Sequence, residues 1–399
     1  MSTLFVCYYY PPDGTPAARR LAYLTARAAE RGPVYVVTAN PNAARLPHVT
    51  ATEVVPAADL RSWFSGGASN RPLTATTKQR SWLRPLLRLR QAFPFVHLFD
   101  DGGPRYRRSA LAAARRLVDR HGITHLLTSF RPWADHLVAR RLKRAFPHLH
   151  WTADFRDLPV DPIRADLWFP ALQRWWGKRI VRTADELWCV SRGQRAQLAG
   201  WHPRIQVRYN PLLELPPAES APLTDRFRIV YTGSLYPGLQ TVAPLVRALR
   251  ELLDKRELRA EELEVYYRGK DASVLLEWWS GLPRRCLDLG SSIPPSASRA
   301  AQKKATMLLL LNWSAPGYYG VLTAKLWDYL AAGRPVLALV NGPGDEELSG
   351  IFSGAGAGAV YATDEQAKVA ERLRQWLAEW RATGTVRHAP DRAYLRQYL

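Results

Sequence analysis

Lys325 and Asp328 stand three residues apart in the stretch 317–335 (GYYGVLTAKLWDYLAAGRP), which reads as a glycine-bearing loop running into a helix. Residues three apart on a helix lie on the same side. Lys325 falls in the first turn, where unbonded backbone N–H groups and the helix dipole already favour an anion. A phosphate or diphosphate would gain a charge partner there, and the acid one turn on could accept hydrogen bonds from a sugar hydroxyl. A surface salt bridge on an amphipathic helix is the competing reading of the pair.

The elements around the pair leave both readings open and fix where it stands. Residues 306–311 (TMLLLL) form a short continuous apolar run of the kind a buried parallel strand needs. The helix is expected from about 323 to 332, stopped by Gly333 and Pro335, and a second apolar run follows at 336–340. Strand, loop, helix, strand is the unit that builds a parallel sheet and leaves the loop at the carboxyl edge, where ligands bind.

The rest of the chain supplies more of the same alternation. In the first half, strands are expected at 4–9, 34–38, 124–129, 150–155, 186–190 and 206–209, with helices near 16–30, 107–121, 133–145, 167–182 and 193–200. The interval 40–105 is poorly patterned, rich in Pro, Arg, Trp and Ser, and reads as an insertion at the ligand edge. A Pro-rich polar stretch opening at Pro211 (PLLELPPAESAPL) has the composition of a linker. After it come strands at 228–232, 263–268 and 286–289, helices at 241–253 and 272–279, the 306–340 unit, and a helix at 364–381. The expected organisation is a first domain over 1–210, a linker over 211–225 and a second domain over 226–384; the tail, about 385–399, could return to the first domain.

At 399 residues with 47% hydrophobic side chains and no apolar run near membrane-spanning length, the sequence fits a soluble two-domain globular protein. The N-terminus, MSTLFVCYYYPPDG, shows no basic stretch or cleavage site and reads as a first strand. Cys7, Cys189 and Cys286 are too scattered for a disulfide framework or a spaced zinc site, which suits a reducing cytoplasm. The net charge of +21 is uneven: residues 1–210 hold 33 Lys+Arg against 14 Asp+Glu, and the remainder 23 against 21. Such clustering attracts polyanions, an anionic membrane surface above nucleic acid, although only nine of the 56 basic residues are Lys and Arg-rich genomic bias would give the same excess.

Several segments in order resemble the retaining family-four (group 1) glycosyltransferases of the GT-B fold, and they cover most of the chain outside 40–105. Residues 8–20 (YYYPPDGTPAARR) resemble the first strand and glycine loop of that family, with Gly14 and Arg19 on the acceptor or diphosphate side. Residues 151–159 (WTADFRDLP), after the loop at 129–136, resemble an Asp-Phe-Arg-Asp signature of a sugar-transferase subset. There Arg156 would hold one carboxylate, Asp157 or Asp154, while the other faces the cleft. Residues 229–240 (IVYTGSLYPGLQ) resemble the strand and glycine turn that touch the donor phosphates, giving Gly233 and Ser234. The 317–335 segment resembles the nucleotide-sugar site, in which glycines precede a phosphate-binding Lys and a ribose-binding acid.

The resemblance implies an α/β chain of two facing Rossmann-like domains, the GT-B fold, with a cleft between them. It implies transfer of a sugar from a nucleoside diphosphate sugar, UDP- or GDP-linked, to a glycan or lipid-linked acceptor hydroxyl, with retention, without metal or other cofactor, in bacterial glycoconjugate synthesis. Lys325 would stabilise the leaving diphosphate and Asp328 hold the ribose; Asp154 would orient the acceptor. Departures from the family pattern also stand in the sequence. Ser234 and Gln240 occupy positions where many relatives carry Arg and Lys, Gly320 replaces the first of two glutamates, and Asp154 stands near a common His. Sugar contacts would then fall to backbone amides around Tyr318, Tyr319 and Leu322. The rival readings are a GT-B nucleotide-sugar epimerase or hydrolase and a non-enzymatic polyanion-binding protein. Localisation is expected in the cytoplasm, peripheral to the inner face of the cell membrane. Gly354, Gly356 and Gly358, the pair Asp100 and Asp101, and the dispersed His97, His121, His125, His136, His148 and His150 are discounted as dinucleotide, metal and ligand signals.

Overall fold

A computed structural model of the chain describes residues 1–57, 95, 102–163, 168–218 and 225–399, which divide into two compact units, Met1–Tyr209 and Asn210–Leu399. Most of the expected insertion, including 81–94, His97, Asp100 and Asp101, lies outside the described residues, as does the first residue of the helix expected from 167.

In the first unit the strands are β1 (Thr3–Val6), β2 (Val34–Thr38), β3 (Ala51–Val54), β4 (His125–Phe130), β5 (His150–Phe155), β6 (Glu186–Cys189) and β7 (Ile205–Val207). They form a parallel sheet in the order β3-β2-β1-β4-β5-β6-β7. The helices are α1 (Pro16–Ala29), α2 (Gly103–His121), α3 (Trp133–Ala145), α4 (Pro170–Val181) and α5 (Arg192–Gln197). Central strands such as β1 and β2 are buried along their whole length, as a sheet covered on both faces requires. β3 corrects the reading of 40–105 as an insertion throughout. Its sequence, ATEV, has no apolar run because this edge strand is half-exposed, so hydrophobic patterning is silent there.

The second unit repeats the plan with β8 (Phe227–Thr232), β9 (Leu263–Arg268), β10 (Leu287–Gly290), β11 (Met307–Trp313), β12 (Val336–Asn341) and β13 (Gly358–Ala362), parallel in the order β10-β9-β8-β11-β12-β13. Its helices are α6 (Ala243–Asp254), α7 (Ala272–Trp278), α8 (Pro295–Lys303), α9 (Ala324–Ala332), α10 (Glu346–Ala355), α11 (Gln366–Thr383) and α12 (Arg392–Leu395). One apolar core joins Ile229, Leu249, Leu263, Leu309, Leu337 and Trp376. In both sheets the strand order reverses beside the first strand, between β1 and β4 and between β8 and β11, and a doubly wound sheet opens its ligand crevice at the carboxyl edge of such a reversal.

The alternating glycines of 354–358 serve the turn from α10 into β13. Gly356 ends the helix at φ 59°, and a side chain on Gly358 would lie 2.2 Å from the Val336 carbonyl oxygen. The C-terminal residues pack on the second unit. The Asp391 amide donates to the Ala355 carbonyl, Tyr394 covers Gly354, and the Tyr398 ring packs tilted against Trp327 at 4.9 Å while its carbonyl accepts from the Leu212 amide. The described part of the expected linker lies there too, with Pro217 against Gly333. Among the described residues no helix is long and apolar enough to cross a membrane.

Candidate active site at the carboxyl edge of the second sheet

β8 ends in Tyr231 and Thr232 and turns through Gly233 and Ser234, while α9 begins across the reversal point with Lys325 in its first turn. The Lys325 ammonium donates to the Tyr231 hydroxyl at 2.9 Å and to the Ser234 carbonyl at 2.8 Å. It lies over the rings of Tyr231 and Tyr236, 5.0 and 5.9 Å from their centroids, which adds cation–π attraction. Burial under these groups lowers its pKa to about 8, and Asp271 offsets part of that effect. The lysine therefore stays mostly charged at neutral pH, in a place where charge is poorly solvated.

The loop that receives it is built for close approach. Gly233 takes a φ of 114°, and a Cβ there would stand 2.5 Å from Lys325 Cε, so only glycine satisfies both the turn and the passage of the lysine stem. The Tyr267 hydroxyl donates to the Gly233 carbonyl at 3.1 Å, the Gly233 amide donates to the Arg268 carbonyl at 2.8 Å, and the Thr232 amide donates to the Tyr329 hydroxyl of α9. Asp271 accepts from the Leu235 amide at 2.9 Å. Among the described residues the Ser234 amide and hydroxyl and one ammonium hydrogen of Lys325 have no protein partner, and these are donors an anion could use.

Gln240, noted in the sequence as a departure from the charge of the resembled family, is a buried structural residue: its amide nitrogen donates to the Leu311 carbonyl at 2.7 Å and its oxygen accepts from the Tyr236 amide. Asp328 is half-buried one turn beyond Lys325, and Tyr319 is half-buried in the loop before α9. In that loop Gly320 has a φ of 72°, and its amide donates to Asp345 at 2.8 Å. The Tyr318 and Leu322 amides bond to Ala315 and Gly320 carbonyls. The loop amides expected to meet sugar hydroxyls at 318, 320 and 322 are thus engaged within the protein. Asp345 also caps α10 by accepting from the Leu348 amide, and burial raises its pKa despite those bonds. Sequence reading missed it; an Asp before the Glu-Glu-Leu of a helix start was the available signal.

In the first unit Asp154 is corrected. It ends β5 fully buried, and its partner is Arg20 of α1, not Arg156: Arg20 donates from Nε at 3.0 Å and from Nη2 at 2.7 Å, and Ser129 donates at 2.8 Å. Arg20 further donates to the Arg208 and Tyr209 carbonyls. A carboxylate so surrounded joins α1, β4, β5 and the chain leaving β7, and it presents no face to an acceptor. Arg156 pairs with Asp157 at 3.1 Å, a half-exposed pair, and donates to the Arg131 carbonyl. Gly14 is exposed in the loop after β1, and Arg19 is half-buried at the start of α1. Helical spacing held the signal for Arg20: it shares the buried face of α1 with Ala17, Leu21 and Leu24, and Arg19 does not.

Two other buried polar groups stand on neighbouring residues, Asp135, which escaped the sequence reading, and His136, one of the histidines discounted as ligands. Asp135, at the start of α3, accepts from the Tyr8 amide at 3.0 Å and the Tyr106 hydroxyl at 2.6 Å. His136 bonds Thr128 at 2.8 Å among Phe130, Trp133, Trp151 and Phe155, and burial lowers its pKa to about 3, so it is neutral. Among the described residues no group of three His, Cys, Asp or Glu side chains is placed to hold a metal ion.

The sequence matches no protein-family model and no curated protein. Solved structures do match over the whole chain. TarM aligns with 100% of this chain and 96% of its own at a TM-score of 0.57 and 8% identity. WaaG, a glycosyltransferase involved in lipopolysaccharide biosynthesis, aligns over 99% and 94% at 0.52 and 15%. A trehalose-6-phosphate structure from E. coli bound with UDP-2-fluoro glucose aligns over 100% and 95% at 0.56 and 11%. At such identities the likeness carries the fold, and with its two doubly wound sheets this chain has the GT-B fold of two Rossmann-like α/β domains.

Proposed function

We propose that this protein is a glycosyltransferase that moves a sugar from a nucleoside diphosphate sugar, UDP- or GDP-linked, to an acceptor hydroxyl of a glycan or lipid-linked glycan, in glycoconjugate synthesis. The observation that carries the reading is Lys325, held as a cation at the start of α9 beside the unpartnered Ser234 amide and hydroxyl, at the strand-order reversal of the second sheet. A UDP sugar bound to a structure of the same fold supports the choice of ligand.

In this reading the diphosphate rests on the Ser234 amide and hydroxyl and on Lys325, with Gly233 keeping the wall low. Asp328 accepts from the ribose hydroxyls, and Tyr319 and Gly320 border the sugar. As the bond from the anomeric carbon to the diphosphate oxygen breaks, negative charge grows on the leaving group and Lys325 offsets it without reorganisation. The acceptor oxygen bonds the anomeric carbon on the same face, and its proton passes to the departing phosphate oxygen, so configuration is retained and no metal is required. Gly14, Arg19, Arg156 and Asp157 of the first unit keep the assignment to the acceptor or diphosphate side that the family resemblance implies. Asp154 sets the position of α1 and is not a catalytic residue.

Lys325→Ala should lower transfer by roughly 10²-fold or more with a defined donor and acceptor, the usual loss for one strong transition-state contact. Near-normal turnover in that variant would overturn the assignment, and release of free sugar without acceptor would point to a hydrolase.

A further inference from the structure

Among the described residues, half of the strongly exposed large apolar side chains fall within eight positions: Trp168, Phe169, Leu172 and Trp175 are 45, 57, 44 and 50% exposed. The rest are scattered singly over the chain. The cluster is a consequence of how α4 docks. Its buried stripe is Gln173, Gly177, Ile180 and Val181, and a side chain on Gly177 would stand 2.6 Å from Trp201 and 2.9 Å from Trp133. That close fit fixes the rotation of the helix and leaves Leu172 and Trp175 on the outer side. Phe169, the residue before α4, has a φ of 55°, a conformation a bulky side chain adopts at a cost, and the result is to hold its ring in solvent.

The rest of the exposed side of α4 is basic. Arg174, Lys178, Arg179 and Arg182 are exposed along α4, and Arg179 lies 5.0 Å over Trp175. Arg140 of α3 lies 5.8 Å over Trp176, and Arg144, Arg179 and Arg182 are near enough to depress its pKa further than burial alone. An exposed cation–π contact adds only about 0.5–1 kcal/mol, and the mutual repulsion of the crowded cations opposes it. We infer that this face of α4 docks on an anionic lipid bilayer, with Trp168, Phe169, Leu172 and Trp175 entering the headgroup boundary and the arginines and Lys178 meeting lipid phosphates. Amphipathic Trp and Arg suit that zone, and each basic residue near an anionic surface adds attraction that salt weakens. The inference does not depend on the reaction proposed above.

Flotation of the full chain with phosphatidylcholine vesicles, with and without phosphatidylglycerol, tests it at low and moderate salt. Binding is expected to the phosphatidylglycerol vesicles and to weaken with salt. Two combined variants, Trp168→Ser/Phe169→Asn/Leu172→Ser/Trp175→Ser and Arg174→Glu/Lys178→Glu/Arg179→Glu, should each weaken it by roughly tenfold or more. Their circular dichroism and thermal midpoints should match the parent, since the substituted side chains are exposed. No binding by the parent at low salt, or parent-like binding by both variants, would overturn the inference. So would variants whose only change in sedimentation velocity is loss of self-association, because the face would then cover a second copy of the chain. The readout needs no sugar transfer, so either proposal can fail while the other stands.

Discussion

If the proposed role of Lys325 holds, that one side chain sets stability against function. Its cation is held under Tyr231 and Tyr236 with a pKa of about 8, below the 10.5 of the free side chain. Between those values the unfolded chain binds more protons than the folded one, so this group makes stability rise with pH from about 8 to about 10.5; below that window its burial costs stability in full. Transfer should run the other way, falling as pH rises through about 8, because the neutral amine cannot offset diphosphate charge. A pH profile of kcat/KM that is flat across this range would contradict the role. Lys325→Met should pair a raised thermal midpoint at pH 7 with loss of transfer, since Tyr231 still donates to the Ser234 carbonyl at 2.9 Å and no buried donor is orphaned. Gly233→Ala should abolish transfer as well, by driving a methyl into Lys325 Cε, and comparing its nucleotide affinity with that of Lys325→Met would show whether displacing the lysine equals removing it.

Between elements, the Arg20–Asp154 pair does for the first unit what Lys325 does not do for the second: it fixes the framework. Arg20→Met would leave a buried carboxylate without its counter-charge, at a cost of about 3–5 kcal/mol, and Asp154→Leu would take the counter-charge from a buried guanidinium that keeps its bonds to the Arg208 and Tyr209 carbonyls, to similar or smaller effect. The double variant should be less destabilised than the sum of the two, measured by urea unfolding; strict additivity would mean the pair is not coupled. This pair also marks the limit of what the sequence disclosed. The near-continuous apolar run of β12 (VLALVN) and the alternation of β9 (LEVYYR, buried at every second position) made the ends of those strands legible to within a residue. The place of Lys325 in the first turn of a helix was legible too, because helix starts are local, whereas Gly233 came from the family resemblance of 229–240. Asp154 was legible as an acid at a strand end but not as a buried one, because the partner that buries it lies 134 residues away. The family resemblance marked Gln240 as a lost charge but could not show its structural use, because its side chain is spent on the Leu311 carbonyl of a neighbouring strand.

At the scale of the whole chain, the two units divide the chemistry as well as the sequence. The first carries nearly all of the excess positive charge and the exposed aromatic face of α4, and the second is close to neutral and holds Lys325, Ser234 and Asp328. A nucleoside diphosphate should therefore find its main partners in 210–399, which has its own six-stranded sheet and its own core spanning β8, β9, β11, β12 and α11. A fragment of residues 210–399 should unfold cooperatively, and the nucleotide that matches the donor should raise its thermal midpoint. Ligand at a hundredfold excess over Kd stabilises by about 2.7 kcal/mol, a shift of several degrees in a domain of this size. UDP, GDP, ADP and dTDP compared side by side would identify the base of the donor, and Lys325→Ala in the fragment should remove most of the shift. If the same nucleotides stabilise 1–209 and leave 210–399 unmoved, the donor site lies at the carboxyl edge of the first sheet, where β1 and β4 reverse, and Lys325 loses its assignment.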